Sequence, residues 1–381
     1  MRLAVICYPT YGGSGVVATE LSKQLAIRGH DVHMVSYERP FRFDPDLPNL
    51  HFHQVEVSDY PLFRYQPYEL NLANKIIELV EGHGVELVHS HYAVPHAMAA
   101  WQAREVLREE RGLDVALACT LHGTDITLIG RERSFYELTR FSIVRQDLLT
   151  APSRWLAQES VEQFHIPPSK IRVIPNFVDL DRFYPDEAVE IRRELDAEGS
   201  FIITHMSNFR PVKRVEDVVR GFAVLRQQLP AVLLLVGDGP ERPKAIQLAE
   251  ELGVTEHVRV LGKRKQLAPI LQASDLYLLP SVAESFGLSA LEAQACGCPV
   301  IGYHAGGLPE VVADGETGIL CPTGENVCLG SLAADLLADT ERYTAMREAS
   351  RRRAETFATR PIIDRYEQAL GRLVNCGMVC V

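Results

Sequence analysis

The alternation of short apolar runs with longer amphipathic stretches constrains this chain more than any other feature of its sequence. In the first half, residues 3–7, 31–36, 86–90, 115–121 and 147–151 are rich in Val, Ile, Leu and Ala and read as buried strands. Segments 16–28, 68–81 and 93–108 between them repeat apolar residues at helical spacing. Strands that are apolar nearly throughout are covered on both faces, and a strand–helix–strand order demands parallel crossovers. An α/β protein with a doubly wound, Rossmann-like parallel sheet is therefore expected. The second half repeats the grammar, with strands at 201–206, 231–237, 257–261, 275–279 and 299–302. At 381 residues the chain is too long for one ordinary core. Two domains facing each other are expected, 1–175 and 176–359, with the junction near Ile174, Pro175, Asn176 and Phe177, where a proline interrupts the pattern. From residue 326 onward helices follow without strands, and the last, about 360–381, is expected to cross back onto the first domain. Ligands of open parallel sheets bind beyond the carboxyl ends of the strands, which puts the expected site in the cleft between the domains.

Composition removes several classes of partner. A net charge of −11 leaves no overall basic surface for a nucleic-acid backbone. No run of about 18 apolar residues is present, and the first twenty residues lack the basic start, apolar middle and small-residue cleavage site of a secretory leader. A cytoplasmic protein without a membrane partner is expected, in which the eight cysteines stay reduced. Cys296 and Cys298 are one residue apart, not the two of a redox or zinc pair, and Cys376 and Cys380 are expected to be exposed. His89 and His91 alternate on one strand, but no third metal ligand accompanies them, and no metal or other cofactor is expected. Asp179 and Asp181 have the spacing of a metal-binding Asp-x-Asp, yet Arg182 follows them and a loop or helix cap suits them better.

Several short motifs sit where a ligand would. Gly12, Gly13, Ser14 and Gly15 join a strand to a helix and let the backbone approach an anion at the helix N-terminus. Gly13, Gly15 and Ala18, with Glu38 beyond the next strand, also satisfy a dinucleotide pattern, so a nicotinamide-dependent dehydrogenase is a competing reading. Against it, residues 8–11 lengthen a turn that is tight in dinucleotide sites. In the second half, Glu284 stands at a strand-to-helix junction and Glu292 lies about two turns into a helix whose neighbours Leu288, Ala290, Leu291, Ala293 and Ala295 are mostly apolar. A carboxylate facing such a core needs donors, and the two ribose hydroxyls of a nucleotide would supply them; a solvent-facing acid is the plainer alternative. Arg210, Lys213 and Arg214 follow a strand within five residues, either as a solvated basic turn or to neutralise a diphosphate. Residues 236–241, Val-Gly-Asp-Gly-Pro-Glu, read as structural punctuation. His122 and Thr124 follow another strand, in Leu-His-Gly-Thr-Asp, where a histidine can bond a sugar hydroxyl or a phosphate oxygen, or simply be satisfied in the core.

Taken together, Glu284 and Glu292 with seven residues between them, the N-terminal glycine loop, Lys213 and the Gly306-Gly307-Leu308-Pro309-Glu310 turn resemble the GT-B glycosyltransferases of family 4 over essentially the whole chain. The run 7–21, with 89–93 and 122–127, is similar to the branch of that family that glycosylates L-malate in bacillithiol synthesis. The resemblance implies a retaining, metal-independent transfer of GlcNAc from UDP-GlcNAc to the hydroxyl of L-malate. It implies catalytic roles for His122, Lys213 and Glu284, and a donor site of Gly15, Asn208, Arg210, Lys213, Gly262, Glu284, Phe286, Gly287, Leu288 and Glu292 in the second domain and the glycine loop. The acceptor site it implies is Gly13, Ser14, Tyr92, Thr124, Arg140 and Asn176, with Arg140 as a bidentate clamp for a carboxylate or, more plainly, a surface helix residue. One position departs from the family: where many members carry an arginine five residues before the diphosphate lysine, this chain has Asn208, and Arg210 stands in. Another small anion such as an inositol phosphate is the alternative acceptor, and a nucleotide-sugar sensor without catalysis is a third reading. A homodimer is expected only by analogy.

Overall fold

The structure, a computed structural model, describes residues 1–10, 12–56 and 67–377. Tyr11 and Cys380 fall outside the described residues, as does the side chain of Cys376.

The chain divides into two compact units, Met1–Pro175 with Arg360–Val381, and Asn176–Thr359. The first unit holds β1 (Arg2–Ile6), β2 (Asp31–Ser36), β3 (Leu50–Gln54), β4 (Leu87–His91), β5 (Ala116–Thr120), β6 (Leu148–Ala151) and β7 (Ile171–Val173), in the order β3-β2-β1-β4-β5-β6-β7. The second holds β8 (Phe201–Ser207), β9 (Ala231–Gly237), β10 (Val258–Gly262), β11 (Leu276–Leu279), β12 (Val300–Tyr303) and β13 (Gly318–Cys321), in the order β10-β9-β8-β11-β12-β13. Every pairing is parallel. Each sheet therefore winds one way, returns to its first strand and winds the other way. The switch points lie between β1 and β4 and between β8 and β11, and there the loops leaving adjacent strands diverge and open a crevice.

Burial follows from this topology. Along β9, Ala231, Leu233 and Leu235 join the core on one face of the second sheet, while Val232, Leu234 and Val236 join the core on the other. Both faces are dry, which is why the strand reads as one continuous apolar run.

The helix Thr359–Gly377 belongs to the first unit from Arg360 onward. Ile362, Ile363, Tyr366, Ala369 and Leu370 form its buried stripe, at the spacing of one helical face. Its polar side is tied down by Arg28, which reaches Asp364 at 2.6 Å and Glu367 at 2.7 Å, and by His30, 2.8 Å from Glu367.

Segment 93–108 does not form the single helix its periodicity predicts. Regular helix spans Met98–Val106, and Val94 is extended at φ −123°, ψ 136°. Pro95 is the cause, since its ring disfavours helical geometry in the residue before it. Among the described residues no helix is long and apolar enough to cross a membrane.

Candidate functional site

In the second unit, the loops at the β8/β11 switch point bring together two residues 71 positions apart. Lys213 Nζ lies 2.7 Å from Glu284 Oε2, with 21% and 12% of their side chains exposed. Spacing alone assigns these residues separate partners; the fold makes them partners of each other. Lys213 ends the short turn Pro211–Lys213 after β8, and the backbone N–H of Val282 donates to the Val212 carbonyl at 3.0 Å, locking that turn to the loop after β11. The glycine turn closes over the same loop from β12: Gly307 N–H donates to the Glu284 carbonyl at 2.6 Å. At Gly306, φ is +60° and a Cβ would lie 2.1 Å from that carbonyl oxygen, so only glycine fits.

The helix Leu288–Ala295 starts at Gly287 without a side-chain cap, and its first intrahelical bond is Leu291 N–H to Gly287 O. The earlier N–H groups thus face outward as anion donors beside Lys213 and Glu284. Phe286 is buried against Phe357, with ring centroids 5.7 Å apart, and anchors the approach to this helix. Glu292 is buried, and Leu288 is half-buried at the helix start. Asn208 and Arg210 are exposed on the loop after β8, and Gly262 is half-buried at the end of β10.

In the first unit, the glycine loop leads into the helix Gly13–Ile27, three residues earlier than the periodicity predicts. Its first intrahelical bond is Val16 N–H to Gly12 O, which leaves the N–H groups of Gly13, Ser14 and Gly15 pointing out of the helix start. Gly13 is exposed and Ser14 half-buried. A Cβ on Gly15 would sit 2.6 Å from the Tyr8 carbonyl oxygen and 2.7 Å from that of Thr10, so the loop folds against the helix only because glycine is there.

Across the switch point, the ends of β4 and β5 carry a row of rings. His89 and His91 share one face of β4 with centroids 4.5 Å apart. His91 Nδ1 is 2.9 Å from His122 Nε2, and the His122 ring stacks on Tyr92 at 5.8 Å. Tyr92 holds φ +106°, a strained conformation for a non-glycine residue of the kind concentrated at functional sites. Burial pushes His89 and His122 down to about 3 and His96 to about 4, with neighbouring imidazoles adding to the effect at His122, so the row is neutral near pH 7.

Asp125 fixes the loop that follows β5. Its buried carboxylate accepts the backbone N–H groups of Gly123 at 2.8 Å, His122 at 3.1 Å and Ala93 at 3.2 Å. Burial pushes it up to about 6, against the pull of those donors. Thr124 begins the four-residue helix that Asp125 braces.

Arg140 lies on the helix Tyr136–Val144, half-buried, and its Nε donates to the Phe164 carbonyl at 3.1 Å. One edge of its guanidinium is thus committed to the protein. Asn176 begins the second unit; it is buried, and its Oδ1 has no hydrogen-bond partner.

Asp179 accepts the N–H groups of Asp181 and Arg182 at 3.0 and 3.3 Å, a turn-capping role. Cys296 and Cys298 are buried free thiols, raised by desolvation, Cys296 to about 12. Among the described residues no group of three or more His, Cys, Asp or Glu is arranged to hold a metal ion. Sequence reasoning missed Asp125 and the partnership of His91 with His122. The first had a local signal, an Asp three residues after His122 with glycine between, whereas the second joins residues 31 apart.

Two family models match the chain: one described as Glycosyltransferase Family 4 over residues 11–182, and one described as Glycosyl transferases group 1 over residues 187–353. The chain is 42% identical over 370 residues to the N-acetyl-alpha-D-glucosaminyl L-malate synthase of Bacillus anthracis, covering 96% of both chains. It is 32% identical to the D-inositol 3-phosphate glycosyltransferase of Segniliparus rotundus, over 91% of this chain and 81% of the relative. Among solved structures, sucrose-phosphate synthase from Thermosynechococcus elongatus superposes with a TM-score of 0.83 at 23% identity, over 98% of this chain and 99% of that one.

Proposed function

The chain belongs to the family 4 glycosyltransferases, and on that premise we propose that it transfers GlcNAc from UDP-GlcNAc to the hydroxyl of L-malate, the first step of bacillithiol synthesis. What carries this reading is one coincidence: a chain 42% identical to an N-acetyl-alpha-D-glucosaminyl L-malate synthase over 96% of its length holds a lysine–glutamate pair at the switch point of its second sheet. The second unit is the donor-binding half. Glu292 holds the ribose hydroxyls, Glu284 holds hydroxyls of the sugar, and Lys213 with Arg210 neutralises the diphosphate. Asn208, Gly262, Phe286, Gly287, Leu288 and, from the first unit, Gly15 complete the donor contacts. Gly13, Ser14, Tyr92, Thr124, Arg140 and Asn176 hold malate, whose two carboxylates call for N–H donors and a cation.

The transfer proceeds with retention by front-face attack. The bond from the sugar's anomeric carbon to the β-phosphate oxygen breaks as a bond to malate's hydroxyl oxygen forms. The hydroxyl proton passes to the departing phosphate oxygen, and UDP leaves. Negative charge grows on that oxygen, and Lys213, Arg210 and the N–H groups at the start of Leu288–Ala295 stabilise it. These groups do the work a metal does in other transferases, so none is required. His122 bonds the transferred sugar or the phosphate as a neutral imidazole. The enzyme acts in the cytoplasm, and a homodimer is the assembly suggested by analogy.

UDP release by purified, chelator-treated protein tests this. Release with UDP-GlcNAc and L-malate, but not with inositol 3-phosphate or without acceptor, is the expected result. Release driven by inositol 3-phosphate alone would leave the donor assignment standing and withdraw the malate roles of Tyr92, Thr124 and Arg140.

A further inference from the structure

His91 has no role in the transfer as described, yet it is fully buried at the end of β4 with its Nδ1 2.9 Å from Nε2 of His122. Two neutral imidazoles at that separation share one proton, so one nitrogen must donate and the other accept. The surroundings of His91 decide which. Its other nitrogen, Nε2, is buried and has no hydrogen-bond partner. Were the His91 proton on Nε2, a buried N–H would be left without an acceptor and the Nδ1 lone pair would have to be served by His122. With the proton on Nδ1, the donor is satisfied and only a lone pair is left bare, the more tolerable of the two defects.

We infer that His91 is a positioning residue for the transfer: its Nδ1–H donates to Nε2 of His122 and fixes His122 as the Nδ1–H tautomer, a neutral hydrogen-bond donor to the substrate. This rests on His122 acting in the site as proposed above. The arrangement also blocks protonation of His122, because a second proton on Nε2 would meet the His91 N–H head-on. Relief would need His91 to move its own proton to the unpartnered Nε2. The groups facing the pair reinforce the block. His89 stacks on His91 from β4, and His96 donates its Nδ1–H to the His91 carbonyl at 2.7 Å. Tyr92 covers the His122 ring, and Tyr8 from the glycine loop packs on Tyr92 and His96. Asp125 is turned to the backbone N–H of His122.

The test compares the pH dependence of kcat/KM in wild type, His91→Asn and His91→Phe, with folding followed at each pH by circular dichroism. Asparagine puts an amide N–H where Nδ1 lies, whereas phenylalanine keeps the ring and removes the donor. Wild type and His91→Asn should keep a flat acid side. His91→Phe should gain an acid limb that begins at higher pH than in wild type, yet stays below the ordinary histidine value because burial still opposes a charge on His122. A flat profile in His91→Phe, or the same limb in His91→Asn, overturns the inference. Should His91→Phe fail to fold, imidazole nitrogen NMR of the wild type at pH 7 decides: His122 protonated on Nδ1 supports the inference, and protonation on Nε2 overturns it. Full turnover in His122→Ala overturns the catalytic consequence and the role given to His122, and the NMR reading then tells that failure from a wrong tautomer.

Discussion

Replacing Lys213 with methionine keeps most of its stem and deletes its charge. In the protein without ligand, this strands Glu284, whose side chain is 12% exposed and loses a partner at 2.7 Å. A carboxylate left without its donor in such a place costs about 1–3 kcal/mol, the lower part of the range applying because both side chains touch water. The melting temperature should therefore fall by a few degrees and the fold should persist. Catalysis should suffer more. In the wild-type site Lys213 joins Arg210 against the diphosphate, while the variant keeps Arg210 alone beside an unopposed Glu284. Loss of one such group at a developing charge lowers turnover about 100- to 1,000-fold. Coupled detection of UDP gives kcat, and calorimetry gives the UDP affinity, expected to weaken about tenfold, or about 1.4 kcal/mol. Adding Glu284→Gln to Lys213→Met should recover the melting temperature, since a neutral amide tolerates the site, but should not recover turnover. Turnover of the single variant within a few-fold of wild type would refute the role of Lys213. Recovery of turnover in the double variant would show that the pair matters only for folding.

Other outcomes follow from the same structure. Gly15→Ala, whose Cβ would meet carbonyl oxygens at 2.6 and 2.7 Å, should displace the glycine loop and abolish turnover while UDP still binds the second unit, checked by activity beside UDP titration. A chain ending at residue 358 would expose the surfaces that Ile363, Tyr366 and Leu370 cover, each worth about 1.5–3 kcal/mol, and should not yield a folded first unit by circular dichroism. Stability should fall as pH drops from about 6.5 towards 4. Buried His89, His96 and His205 are held near 3, 4 and 4 by desolvation, so below the unfolded histidine value the unfolded chain binds protons the folded chain cannot, at up to about 1.4 kcal/mol per pH unit for each. Asp125, raised to about 6, acts in the opposite sense, its destabilising charge disappearing in acid, but it is one group against several histidines, His122 among them. Thermal melts at pH 7.5, 6 and 5 check this, and an unchanged melting temperature would count against it.

How far the sequence led depended on whether a signal was local. Strands such as β2 and β9 are buried on both faces and are legible as apolar runs, both to the residue. β3 was missed because it is an edge strand reading Leu-His-Phe-His-Gln, and β13 because four residues beginning with glycine carry almost no pattern. Over 93–108 the helical periodicity runs straight through Pro95, whose ring holds Val94 extended. At the site, the residues lying just beyond strand ends could be picked out, since topology alone puts such loops at the crevice. Lys213 meeting Glu284, and His91 meeting His122, are products of strand order and could not be read from spacing.

The central claim is a product, and isolating it is the most direct test. UDP-GlcNAc and L-malate incubated with the protein in chelator should give a glycoside with the mass of GlcNAc-malate and, by proton NMR, the α-configuration at its anomeric carbon. A β-linked product would contradict retention, and no malate glycoside, with UDP-GlcNAc consumed only on another acceptor, would contradict the function proposed for this chain.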